Sequence, residues 1–327
     1  MIDNAISRRA FLGRAGGAVT LSAAGTALVH SSQAVSKTAR QHKTLRLGGP
    51  VFVESDDPAV LAEAHRDLGY RAAYAPQVKL TDKHRIQSIV KEFAARDVMI
   101  AEVGVWVNMM DPDDAKRRKN MATVQERLAL ADELGARCCV DIAGSYDPKV
   151  WFGPNPKNMS AEFIGATVEH CRALIDAVKP TRTKFSIEMM PFNFPSGPDD
   201  YVNLVKAVNR KAFGVHLDVC NVMNSPRRMY HNSAVIRECF SKLGRWILSC
   251  HAKDLKWEEY VQVCLREVIP GQGSIDYRAY LECLAQLPQD APLMLEHLKT
   301  AGEYTEGRKY IQTVAKSIGL SFDAEKG

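Results

Sequence analysis

The chain has 327 residues, 46% of them hydrophobic and 25% charged, with a formal net charge of +5, enough for one large α/β barrel or two smaller domains. So mild a basic excess, with no basic stretch interleaved with aromatics, argues against nucleic acid as a partner. Eight cysteines without a CxxC pair give no disulfide framework and read as small buried hydrophobes.

Residues 1–34 run SRRAFLGRAGG, then AVTLSAAGTALV, then the small-residue stretch SSQA ending at Ala34. A positive start followed by a weakly apolar middle is an export signal, and Ser7, Arg8, Arg9, Phe11 and Leu12 resemble the twin-arginine motif. A membrane anchor is the alternative, but a spanning helix needs about 20 apolar residues and this segment is diluted by Gly, Ser and Thr. We therefore expect a cleaved signal, a periplasmic or other extracytoplasmic location, and no stable membrane insertion after cleavage. Loss of Arg8, Arg9, Arg14 and Asp3 would take the formal charge from +5 to +3. Residues 35–43 read as a polar spacer, 44–320 as the folded domain and 321–327 as a tail.

From Thr44 the pattern is strand, loop and helix, repeated. Strands are expected at Leu45–Gly48, Arg71–Ala75, Val98–Val107, Arg137–Ile142, Lys184–Met189, Phe213–Asp218, Trp246–Ala252 and Pro292–Glu296. Helices are expected near Pro58–Leu68, Asp82–Arg96, Asp114–Leu134 and Ala161–Val178, and in the stretches after the later strands. Eight strands alternating with about eight helices point to a (β/α)₈ TIM barrel, α/β in class and a single domain. Gly69 and Gly135 stand where helices should stop. Pro191, Pro195 and Pro198 break the chain after the fifth strand, leaving an irregular loop beside Glu188. Adjacent Cys138 and Cys139 in one strand should face opposite ways.

Four strand-like runs end in groups that an apolar core does not hold. FSIEMMP brings Glu188, GVHLDVCN brings Asp218, WILSCHAKD brings His251 with Lys253 and Asp254, and PLMLEHL brings Glu296. Each alone has a bland explanation: a salt bridge or loop cap for a carboxylate, a satisfied core position for the histidine. Together they differ, because strand tips of a barrel converge, and three carboxylates beside one imidazole need a cation. Mixed oxygen and nitrogen donors suit one divalent ion: Mn²⁺, Mg²⁺, Co²⁺ or Zn²⁺.

These motifs, with the glycine-rich VIPGQGSIDY between the last two, resemble the xylose isomerase-like barrel superfamily of sugar-phosphate isomerases and epimerases. The resemblance spans roughly Leu45 to Leu320. It implies that Glu188, Asp218, His251 and Glu296 hold one divalent metal, and that Glu188 and Glu296 also exchange protons with a sugar through an enediolate. The superfamily's epimerases often carry a histidine three residues after the aspartate, where this chain has Asn221, which can donate a hydrogen bond but carries no proton. Lys253 and Arg266 are candidates for their substrate-binding arginine.

Other candidates come from position. Trp106 and Asn108, past the third strand, can form an apolar wall and a polar contact for a sugar, or serve the loop alone. His216 shares the face of Asp218 if its strand alternates and can point into the same cleft. Asp141 receives no role, His297 should face away from Glu296, and the glycines of PGQGS are weak evidence for phosphate.

The leading expectation is a metal-dependent isomerase or epimerase of a free keto-sugar or sugar derivative. A lyase or dehydratase on a keto-sugar or keto-glycoside is the runner-up, and a non-catalytic carbohydrate-binding protein is third, opposed by the ligand set. The partner is a small carbohydrate, and a homo-oligomer is compatible with all three.

Overall fold

Short β-rich runs separated by helical stretches can pair only in parallel, since each return along the chain needs a crossover. The computed structural model describes Thr44–Phe322, and there eight such strands close into a barrel. They are β1 (Leu47–Gly48), β2 (Ala72–Tyr74), β3 (Met99–Gly104), β4 (Cys138–Ile142), β5 (Phe185–Glu188), β6 (Phe213–Asp218), β7 (Ile247–Ala252) and β10 (Leu293–Leu295). Their order around the ring is β1-β10-β7-β6-β5-β4-β3-β2, all parallel. The signal-like segment, the spacer to Lys43 and residues 323–327 lie outside the described residues.

The helices are α1 (Pro58–Asp67), α2 (Lys83–Ala95), α3 (Asp114–Leu134), α4 (Ala161–Val178), α5 (Pro198–Val208), the short α6 (Val219–Val222) and α7 (Pro226–Tyr230), α8 (Asn232–Leu243), α9 (Tyr277–Ala285) and α10 (Ala301–Ser317). Their starts follow from side-chain acceptors that take up free backbone N–H groups: Asp57, Asp82, Asp113, Ser160, Asp276 and Thr300 each cap a first turn. Gly135 ends α3 in the left-handed conformation at φ 64°.

Apolar side chains on the outer face of the strands, among them Cys139, Ile187, Val215, Leu217 and Cys250, pack against the helices as the main core. The inner face holds Cys138, Val140 and Leu248 towards the strand starts. Cys138 and Cys139 thus face opposite ways, as alternation predicts.

Three expectations are corrected. After β7 an antiparallel hairpin, β8 (Asp254–Trp257) with β9 (Leu265–Val268), which was not expected, precedes the helical stretch that was, α9. The hairpin's alternation is short and half exposed, which weakens the period-two signal. The third strand stops at Gly104, because Trp106 turns to φ 58° and a Cβ at Gly104 would stand 2.5 Å from the Trp106 Nε1. The packed domain continues past Leu320: the Ser321 carbonyl accepts from the Leu45 N–H at 2.9 Å and Phe322 is buried.

Candidate metal centre

Strands β5, β6, β7 and β10 deliver Glu188, Asp218, His251 and Glu296 to the carboxyl end of the barrel, and one ligand atom from each lies within 4.8 Å of the others. Register explains the convergence. Asp218 pairs with His251 across β6 and β7, and His251 with Met294 on β10, so the four tips stand on adjoining strands about 4.8 Å apart. The His251 Nδ1 faces all three carboxylates, at 2.6 Å from Glu296 Oε1, 3.4 Å from Glu188 Oε1 and 3.7 Å from Asp218 Oδ2. Lys253, only 3% exposed, brings its ammonium to 2.7 Å from Asp218 Oδ2 and 2.5 Å from Glu296 Oε1.

The electrostatics are those of a site built for positive charge. Burial alone would raise the Asp218 and Glu296 carboxyls, but Lys253 and His251 hold both below the usual carboxylate range. Burial would lower His251 and Lys253, yet the surrounding carboxylates push both upward, Glu296 acting most strongly on His251 and Asp218 on Lys253. Three carboxylates against one ammonium leave two negative charges in this layer when His251 is neutral, the charge of a divalent cation. Asp218 Oδ2, His251 Nδ1 and Glu296 Oε1 are sealed from solvent, and their close partners are one another, Glu188 and the Lys253 ammonium. A mixed oxygen and nitrogen donor set with such convergent atoms fits a divalent metal.

Beneath this layer lies a second that sequence reading missed. Glu102, buried on β3, accepts from His216 Nε2 at 3.0 Å and from Ser249 Oγ, and lies 3.2 Å from His251 Nε2. A register shift between Ala73 and Tyr74 accounts for its orientation: Ala73 pairs with Ile100 but Tyr74 with Glu102, so Ala101 is the extra residue. Strict alternation would have sent Glu102 outward with Ile100. A carboxylate on Nε2 fixes the tautomer that leaves the Nδ1 lone pair for a metal. Glu102→Ala should therefore weaken divalent-metal affinity by about 10–100-fold, read by competition with a chelating dye, and unchanged affinity would remove Glu102 from the metal centre.

The remaining sequence candidates divide. Asn221 lies at the site, its Nδ2 donating to Glu188 Oε1 at 2.9 Å. Arg266 lines a cavity of about 150 Å³ together with Lys253, Glu267, Glu296 and His297, but its guanidinium pairs with Glu258 on the hairpin. Trp106 is 40% exposed and its ring centroid stands 6.5 Å from that of His251, a wall beside the centre. Asn108 is instead buried in the loop, its Nδ2 donating to the Ser145 carbonyl and its Oδ1 accepting from the Met110 and Ser145 N–H groups. His216 does point inward, but one layer too low: fully buried, it packs edge-on against His251 with centroids 4.1 Å apart.

Two residues without an assigned role hold the loops. Asp141 Oδ1 accepts from the Val107 N–H at 3.1 Å, tying the Trp106 turn to β4. Asp254 accepts from the N–H groups of Leu255, Gly271, Gly273 and Ile275, so PGQGS wraps a carboxylate of its own chain and offers no phosphate cradle. A Cβ at Gly273 would come within 2.2 Å of Asp254 Oδ1. His297 does not face away from Glu296 as expected: at φ 59° its Nδ1 lies 2.9 Å from Glu267 Oε2 and its Nε2 3.6 Å from Glu296 Oε2, in the lining of the same cavity.

Residues 62–314 match the family model described as Xylose isomerase-like TIM barrel. Comparison with curated proteins finds no match. Among solved structures, the chain is similar to a 3-keto-D-glucoside 4-epimerase from E. coli at 12% identity and TM-score 0.60, covering 83% of this chain and 100% of that one. It is similar to a Xylose isomerase-like TIM barrel protein from Mycobacterium smegmatis in complex with magnesium at 20% identity and TM-score 0.59, covering 84% and 98%. A probable 3-DHS dehydratase from Bacillus anthracis gives 11% identity and TM-score 0.60, covering 83% and 98%. At such identities the likeness shows the fold alone.

Proposed function

The chain belongs to the xylose isomerase-like TIM barrel family, and on that premise we propose that it is a divalent-metal-dependent isomerase or epimerase of a keto-sugar or sugar derivative. The observation that carries this is the convergence of Glu188, Asp218, His251 and Glu296 on one largely buried volume at the carboxyl end of the barrel. Neighbours of the same fold include an epimerase of a keto-glucoside and a magnesium complex. A divalent cation in this site would polarise a sugar carbonyl and favour negative charge on oxygen.

The chain's own groups do the rest. Glu188 and Glu296 come from strands separated by β6 and β7, so two carboxylates reach a bound sugar from different sides, one to take the proton beside the carbonyl and one to return it. Asn221 orients Glu188 through Oε1. The Lys253 ammonium, held between Asp218 and Glu296, can donate to a sugar oxygen. Trp106 shields one side from water.

A lyase or dehydratase is the second reading, favoured by that same ammonium: a buried proton donor against Glu296 can protonate a departing hydroxyl. Incubation with the keto-sugar in D₂O separates the two. Deuterium should enter at the carbon beside the carbonyl in a product of otherwise unchanged mass, whereas elimination yields a product lighter by the leaving group. An unlabelled product of unchanged formula would overturn proton exchange by the carboxylate pair, and loss of the leaving group, with or without label, would assign the lyase.

The same proposal places the reaction outside the cytoplasm, on the motif Ser7, Arg8, Arg9, Phe11 and Leu12. Arg8→Lys with Arg9→Lys should leave the precursor in the cytoplasm in a fractionation experiment. Normal delivery of that variant would overturn the twin-arginine assignment.

A further inference from the structure

The opposite mouth of the barrel, where the strands begin, carries a different charge pattern. A cavity of about 340 Å³ opens there, with Arg137, Arg182, Lys184 and Arg245 among its lining, within the range of small-ligand sites. These residues immediately precede strands or lie in the loop before one, so the connectivity gathers them at one end.

None of the four cations has a carboxylate partner among the described residues. Arg182 donates to the Glu133 carbonyl at 2.8 Å, and the Arg245 guanidinium lies 3.9 Å from the Trp246 ring centroid. The acids of this face are committed elsewhere. Asp97 and Asp290 bind Arg46, at 2.8 and 2.6 Å, and Asp132 accepts from the backbone N–H groups of Thr181, Arg182 and Thr183. Two donors of the cavity wall, Arg137 Nε and Thr183 Oγ1, are shut off from solvent without a hydrogen-bond partner. Burial and the charge of Arg137 also lower the Lys184 pKa, so the cations repel one another as they stand.

We propose that this cavity is a second binding site, specific for a compact multivalent anion of the phosphate class and formed by Arg137, Lys184, Arg245 and Arg182 with Thr183. Guanidinium forks match tetrahedral oxyanions, and a bound anion removes the repulsion among the four cations. The phosphate can be free or part of a nucleotide. The site is separate from the metal centre and needs no metal.

The test uses the purified full chain with chelator present, titrated by calorimetry with inorganic phosphate and with ADP, against chloride at matched ionic strength. Saturable binding is expected, with a rise in unfolding temperature that chloride does not give. Preference for phosphate over ADP assigns the free ion, and the reverse assigns a nucleotide. Lys184→Gln, at an exposed position that leaves the fold undisturbed, and Arg137→Gln should each weaken binding at least about tenfold. Lys184→Gln should also raise the unfolding temperature of the anion-free chain by relieving repulsion. Absence of saturable binding to both probes, or equal binding by wild type and Lys184→Gln, overturns the proposal.

Discussion

Glu296→Gln is expected to abolish most turnover, by about 10²–10⁴-fold, the range a positioned acid or base contributes. The amide nearly matches the carboxylate in shape, so far-ultraviolet circular dichroism and the unfolding transition should still show a folded barrel. What changes is chemistry: an amide neither accepts the proton beside a carbonyl nor offers the charge that Lys253 and His251 meet at 2.5 and 2.6 Å. The measurement is kcat on the keto-sugar identified by deuterium incorporation, with exchange of the substrate proton followed separately. Full turnover would take Glu296 out of the proton-transfer pair.

Removal of metal should have the second large effect. The purified domain should contain about one divalent ion per chain, and chelation should destabilise it. At a free-ion concentration a thousandfold above Kd the bound ion contributes about 4 kcal/mol, a shift on the order of 10 °C for a barrel of this size. The affinity should also fall with acid. Carboxylates raise His251 in the metal-free chain, so its proton must leave before Nδ1 can ligate. While His251 is protonated, apparent affinity should drop about tenfold for each unit of falling pH. Competition titrations at two pH values check the sign. Elemental analysis without metal, together with no stabilisation by Mn²⁺, Co²⁺, Zn²⁺ or Mg²⁺, would remove the proposed metal site.

The barrel and the four convergent residues were legible because buried parallel strands leave continuous apolar runs, against which a terminal carboxylate or imidazole stands out. Glu102 was not. Its strand reads MIAEVG, and only the extra residue at Ala101 turns it inward, a backbone event that side-chain pattern does not carry. His216 was placed on the right face but not at the right depth, since alternation fixes which way a side chain points and not which layer it joins. Asn108 misled for a related reason: an asparagine past a strand end can meet a ligand or satisfy its own loop, and here three hydrogen bonds keep it at home. The β8–β9 hairpin escaped because it packs little apolar surface.

The irregularity in β3 has a bearing on transplantation. Loops at the end of a (β/α)₈ barrel are commonly exchanged as modules while the strands serve as inert scaffold. Here the imidazole that faces three carboxylates leans on a glutamate whose direction depends on one supernumerary residue in a strand that supplies none of the four convergent residues. Grafting Glu188, Asp218, His251 and Glu296 onto a barrel with an even third strand would leave His251 Nε2 facing an apolar wall, free to take the other tautomer. The recipe for this centre therefore contains a backbone defect as well as four side chains, and a transplant that copies only the side chains should bind metal loosely until Glu102 and its kink are carried over with them.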